Sequence, residues 1–208
     1  GPGLFTVEFA RTAGQVTGID LSPRMMEHAR AYARRQGVDN AAFLSCDFRR
    51  ADPAAMGWVG AFDLVMTCLT PAVTDVETLH KVMSLSRGHC LHVSFVQSED
   101  SLEEEIAAAL YAGQPERSGQ WDGRFYYAVL NLLFLEGYFP QTAYFRQTAE
   151  ESVTVDQALA EQYADSLGQT AAGEAERILR FLQGRAGAEG CLTRRKSTCY
   201  GLRRNGQR

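Results

Sequence analysis

Between Gln15 and Val96 short apolar runs alternate with amphipathic ones, and this alternation limits the fold more than any other feature of the chain. Gln15 to Asp20 reads as a brief strand ending in an acid. Ser22-Pro23 then supplies an N-cap and a proline for the first turn of a helix, which runs through Met25, Met26, Ala29, Tyr32 and Ala33 and stops at Gly37. Ala42 to Cys46 is the next strand, closed by Asp47. Phe62 to Thr67 is almost wholly apolar after Asp63, the pattern of a strand buried on both faces. Asp75 to Leu85 is helical in spacing, and Gly88 leads into a strand over Cys90 to Val96. Helices placed between short apolar strands predict a parallel α/β sheet with right-handed crossovers. Ahead of this series, Leu4 to Thr12 reads as a short helix entered directly from Gly1-Pro2-Gly3.

After Ser98 the pattern changes. An amphipathic helix with an acidic first turn, SEDSLEEEIAAALYAG, is followed by a turn-rich link and an aromatic helix, RFYYAVLNLLFLEGYF, that Gly137 ends. Gln141 to Arg146 reads as a strand, Val155 to Leu167 and Ala171 to Gln183 as helices, and Lys196 to Leu202 as a last strand. No linker divides the chain. The reading is one domain over 1–208, with a ligand-binding half at 1–98 and a helical insertion with the last strands at 99–208.

Composition narrows the function classes. The chain has 208 residues, 45% hydrophobic and 22% charged, enough for a substantial core. A formal net charge of −4 gives no electrostatic reason to expect nucleic acid as a partner. The basic residues Arg194, Arg195, Lys196, Arg203, Arg204 and Arg208 read as a solvated last strand and tail. Five cysteines without a C-x-x-C pair suit reduced thiols and a cytoplasmic location. No apolar run is long enough to span a bilayer, so no membrane partner is expected.

In an open α/β sheet, ligands bind beyond the carboxyl ends of strands. Four such ends occur here: Gly1 to Gly3, Asp20, Asp47, and Thr67 to Pro71. Glycines let a ligand approach the backbone, and an acid closing the second strand can accept hydrogen bonds from both ribose hydroxyls. A further acid after the third strand suits an adenine amino group. Each feature alone has a plain structural explanation, as a turn or a helix cap. Their order carries more weight, because Asp20 follows Gly3 by one helix and one strand, the spacing of a nucleoside-binding βαβ unit.

The segments GPGLF, VTGIDLSPRMMEHARAYA, AAFLSCDF and AFDLVMTCLTPAV together resemble class I S-adenosylmethionine-dependent methyltransferases over about the first hundred residues. The resemblance implies a Rossmann-like three-layer α/β sandwich, mostly parallel, with an antiparallel C-terminal strand. Measured against the family pattern the first strand is absent from this sequence, which predicts that a longer chain or another element supplies it. The cofactor implied is S-adenosylmethionine. Gly1 and Gly3 would pass beneath its methionine part, Asp20 would bind the ribose, and Leu21 and Met25 would flank the adenine. Asp47 and the Phe48 backbone would read the adenine edge, and Thr67 and Cys68 would line the cofactor near its sulfonium.

For the acceptor the candidates are Tyr126, Tyr127 and Asn131, with Tyr138, Trp121 and Asp122 nearby. The alternative is that the aromatic helix covers the sheet or makes a homodimer contact. His89 and His92, three apart on a strand, point to opposite faces and are not expected to share a metal. No catalytic base is identified. The reading is methyl transfer to a small-molecule substrate. Two alternatives are a catalytically inactive methyltransferase-like binding domain and an NAD-dependent dehydrogenase.

Overall fold

The computed structural model describes residues 1–112 and 123–205. The chain forms two compact units, 1–61 with 72–85, and 62–71 with 86–208. Trp121, Asp122 and Arg208 lie outside the described residues.

The first unit is built on a βαβ crossover. Strands β1 (Val16–Asp20) and β2 (Ala41–Ser45) pair in parallel, with Val16 opposite Ala41 and Asp20 opposite Ser45. The connecting helix α2 (Pro23–Arg35) starts where the sequence predicts: Ser22 is its N-cap, accepting from the Met25 N–H, and Pro23 occupies the first turn. Helix α1 (Leu4–Ala10) and α2 bury Val7, Met26, Ala29 and Ala33 against Phe43 of β2. Each large side chain removed from water there contributes about 1.5–3 kcal/mol. Helix α3 (Val76–Ser84) belongs to the same unit and opens with a capping box, in which Asp75 accepts from the Thr78 N–H at 2.8 Å and Thr78 Oγ1 accepts from the Asp75 N–H at 3.2 Å.

The second unit is a four-stranded mixed sheet in the order β3-β4-β6-β5, formed by β3 (Phe62–Cys68), β4 (Ser86–Asp100), β5 (Gln141–Thr154) and β6 (Cys191–Asn205). β3 and β4 are parallel, and β6 runs antiparallel to both β4 and β5. Helix α5 (Gly123–Leu135) lies on one face with Tyr126, Val129 and Leu133 buried. Helices α4 (Ser101–Leu110), α6 (Gln157–Ser166) and α7 (Glu174–Gln183) close on one another through Leu102, Ile106, Tyr163, Ile178 and Leu182. The architecture is Rossmann-like α/β with a mixed sheet, as the strand–helix alternation implies.

Three local expectations change. β3 is not buried on both faces: among the described residues it pairs with β4 alone, and Leu64 is 42% exposed. β5 and β6 extend well beyond the strands read at Gln141–Arg146 and Lys196–Leu202, because a long antiparallel ladder continues through residues with no apolar face. The basic run is not simply solvated. Arg203 is buried at 1% exposure, and the Arg194 side chain is largely covered, paired with Glu151 and 3.8 Å from Asp100.

Candidate functional site

Gly3 is the N-cap of α1 and has φ of +89°, a left-handed conformation that glycine alone adopts freely. A Cβ added there would stand 2.9 Å from Ala29 Cβ, so the chain passes tightly over α2 at this point. Asp20 closes β1, and its carboxylate accepts from the Ser22 N–H at 2.8 Å and from the Gly1 ammonium. Partial burial pushes the Asp20 carboxyl upward. The Ser22 N–H donates into the carboxylate and opposes that push. Leu21 is 67% exposed and Met25 is also exposed, whereas Met26 turns into the core. The first unit therefore presents an ionised acid at a strand end beside two exposed apolar side chains. That combination suits a ribose with an attached base, with the carboxylate accepting from two hydroxyls and the apolar groups covering a ring.

Asp47 lies in the turn after β2 and accepts from the Arg49 N–H at 3.2 Å, while Phe48 is buried. Lys81 of α3 fixes this turn by donating to the carbonyls of Phe48, Arg49 and Ala51 at 3.3, 2.8 and 2.9 Å. Within the first unit Gly1 and Gly3 precede α1, Asp20 ends β1 with Leu21 next to it, Met25 lies in the first turn of α2, and Asp47 and Phe48 lie in the turn after β2.

Thr67 and Cys68 belong to the second unit. Alternation along β3 sends their side chains to opposite faces. Thr67 Oγ1 lies 2.6 Å from His92 Nδ1. Cys68 is half-buried, and burial pushes its thiol up from the ordinary value, so it is held as the thiol. Leu69, next in sequence, has φ of +47°, a conformation costly for a residue with a Cβ. The sequence does not signal this strained residue at the end of β3. His89 Nε2 meets Arg204 Nη2 at 3.2 Å, away from the His92 contact.

The acceptor candidates separate. Tyr126 is fully buried, whereas Tyr127 and Asn131, one turn apart, share the exposed side of α5. Tyr127 also meets the Tyr126 ring edge-on at 5.8 Å. Sequence reasoning passes over Arg203, whose guanidinium lies 4.4 Å above the Tyr126 ring. The available signal is Gly201 two positions earlier, since a glycine inside a strand marks a close approach.

Residues 1–88 match the family described as a methyltransferase domain. Over that stretch the chain carries a methyltransferase domain. S-adenosylmethionine is accordingly its cofactor, and the ionised Asp20 beside exposed Leu21 and Met25 is compatible with that molecule's nucleoside part. Among curated proteins, the 23S rRNA (uracil(1939)-C(5))-methyltransferase of Aeromonas salmonicida is 38% identical over 96 residues, covering 45% of this chain and 21% of that protein. The chain therefore spans about a fifth of that relative's length. Among solved structures, YcgJ from Bacillus subtilis has a TM-score of 0.57 at 16% identity, covering all of this chain and 88% of the other. A putative methyltransferase from Bacillus halodurans has a TM-score of 0.56 at 13% identity, covering 99% and 88%. These two share the fold.

One expectation is overturned here. Net charge argued against nucleic acid as a partner, yet the curated relatives are ribosomal RNA methyltransferases. Net charge is a property of the whole chain, whereas a nucleic acid is met by a local surface. Among the described residues no helix is long and apolar enough to cross a membrane.

Proposed function

We propose that this chain transfers the methyl group of S-adenosylmethionine to a nucleobase in RNA. The observation that carries the methyl-transfer part is the end of β1, where Asp20 is ionised next to Ser22 and flanked by exposed Leu21 and Met25. Asp20 holds the two ribose hydroxyls, Leu21 and Met25 enclose the adenine, and Asp47 with the Phe48 backbone meets its polar edge. Gly1 and Gly3 run beneath the methionine part. The cofactor supplies a methyl group already activated on a sulfonium, so the chain's own task is proximity and orientation. RNA as the acceptor is supported by the named activity of the relatives, which reaches this chain through a match over 45% of its length.

A second reading keeps methyl transfer but takes a small molecule as acceptor. Phosphate contacts dominate RNA affinity and call for a local basic surface, which this reading does not require. Incubation with S-adenosylmethionine labelled in its methyl group, in the presence of ribosomal RNA fragments, separates the two. RNA methylation predicts label in nucleobases that disappears with Asp20→Ala. Label confined to small molecules of a cell extract supports the second reading, and no label in either pool contradicts both.

A further inference from the structure

A row of side chains crosses the sheet of the second unit. Thr67 of β3 is the register partner of His92 on β4, His92 that of Arg203 on β6, and Arg203 that of Thr142 on β5. Register partners project from the same face of a sheet. Here that is the face bearing α5, because Arg203 Nη1 donates to the Tyr126 carbonyl at 3.1 Å and its guanidinium lies over the Tyr126 ring. Gly201 makes this packing feasible. A Cβ at Gly201 would strike the Tyr126 ring and come within 2.7 Å of a Val96 methyl.

The polar atoms of this cluster are poorly matched to one another. Arg203 is 1% exposed and Tyr126 is fully buried, yet Arg203 Nε and Nη2 and His92 Nε2 are enclosed without a hydrogen-bond partner, and the buried Tyr126 Oη has only Tyr144 beside it. Among the described residues no carboxylate pairs with Arg203. Buried charges in folded proteins are ordinarily paired and hydrogen-bonded, because an unpaired one has given up its hydration for nothing.

The free atoms have a definite shape. Nε–H and Nη2–H form one edge of the guanidinium, the edge that receives the two oxygens of a carboxylate side by side. Arg87 uses this edge in the same chain, holding Asp63 Oδ1 and Oδ2 at 2.8 and 2.9 Å. His92 extends the donor set. In the tautomer in which Thr67 donates into Nδ1, the second ring nitrogen carries the proton. Burial and the Arg203 charge push the imidazole pKa down to about 3, so the ring stays neutral and Arg203 alone carries charge.

We propose that Arg203, His92 and Tyr126 form a buried binding site for the carboxylate group of a small-molecule ligand. One guanidinium, one neutral N–H and one phenol hydroxyl offer donors and a single positive charge, which matches a planar monoanion with two oxygens. A phosphate dianion exceeds the charge and has no second cation. The site does not depend on the methyl-transfer reading and is assayed without S-adenosylmethionine.

Acetate is the smallest probe that carries the group. Titration of the chain with acetate, followed by the side-chain 1H–15N signals of arginine, tests the site directly, with chloride and inorganic phosphate as parallel arms at equal ionic strength. The expected result is a saturable shift of the Arg203 Nε–H signal by acetate alone, together with a rise in Tm. That rise requires at least tenfold more acetate in Arg203→Lys and several-fold more in His92→Phe. The proposal is overturned if the Arg203 signal moves no further with acetate than with chloride, if phosphate saturates it equally, or if both variants keep the wild-type response. Should Arg203→Lys fail to fold, the wild-type titration and His92→Phe decide between these outcomes.

Discussion

Gly3 and His92 show how single positions carry measurable consequences. Gly3 combines a left-handed backbone with the close approach of Ala29. Gly3→Ala is expected to destabilise the fold by about 1–2 kcal/mol from the backbone conformation alone, more if Ala29 does not yield. A urea unfolding curve with unchanged m-value checks this. His92 sets a pH dependence. Its folded pKa of about 3 lies below the ordinary 6.5, through burial first and the Arg203 charge second. The unfolded chain therefore takes up a proton on this ring that the folded chain refuses. Its stability contribution is complete above about pH 6.5 and is lost progressively as pH falls toward 3. His92→Gln should flatten the acid side of the stability profile across that window, and a profile as steep as wild type would show that other groups dominate it.

Elements differ in how openly the sequence announces them. α2 is legible to within a residue or two, because Ser22, Pro23 and the left-handed Gly37 mark its ends and Met26, Ala29 and Ala33 mark its buried side. β5 and β6 are legible only in part. Their outer halves contain Glu150, Glu151, Arg194 and Arg195 in facing positions, and the ladder is sustained there by backbone bonds and charge pairs that leave no periodic apolar signal. The same holds for the site: Asp20 and Ser22 stand out in one short motif, whereas Arg203 acquires its neighbours only when β6 pairs between β4 and β5. Asp100 shows what such pairing achieves at the level of elements. It caps α4 by accepting from the Leu102 and Glu103 N–H groups, accepts from Tyr163 of α6 at 3.2 Å, and lies 3.8 Å from Arg194 of β6. Asp100→Ala removes a cap and leaves the buried Tyr163 hydroxyl without its acceptor. It is expected to cost about 3 kcal/mol. A loss under about 1 kcal/mol would mean that water replaces the carboxylate.

At the scale of the molecule the chain joins a nucleoside-type strand end in one compact unit to a mixed sheet with a buried donor cluster in the other. The methyltransferase-domain match covers residues 1–88, which leaves most of the second unit outside it. The central claim is that the end of β1 holds the nucleoside of S-adenosylmethionine through Asp20. Calorimetric titration with S-adenosylhomocysteine and with NAD, on wild type and Asp20→Ala, tests it most directly. The account predicts S-adenosylhomocysteine binding without NAD binding, weakened by a factor on the order of 10–100 in Asp20→Ala for two lost charge-assisted hydrogen bonds, with Tm nearly unchanged. Binding of NAD alone, or S-adenosylhomocysteine binding indifferent to the substitution, would contradict it.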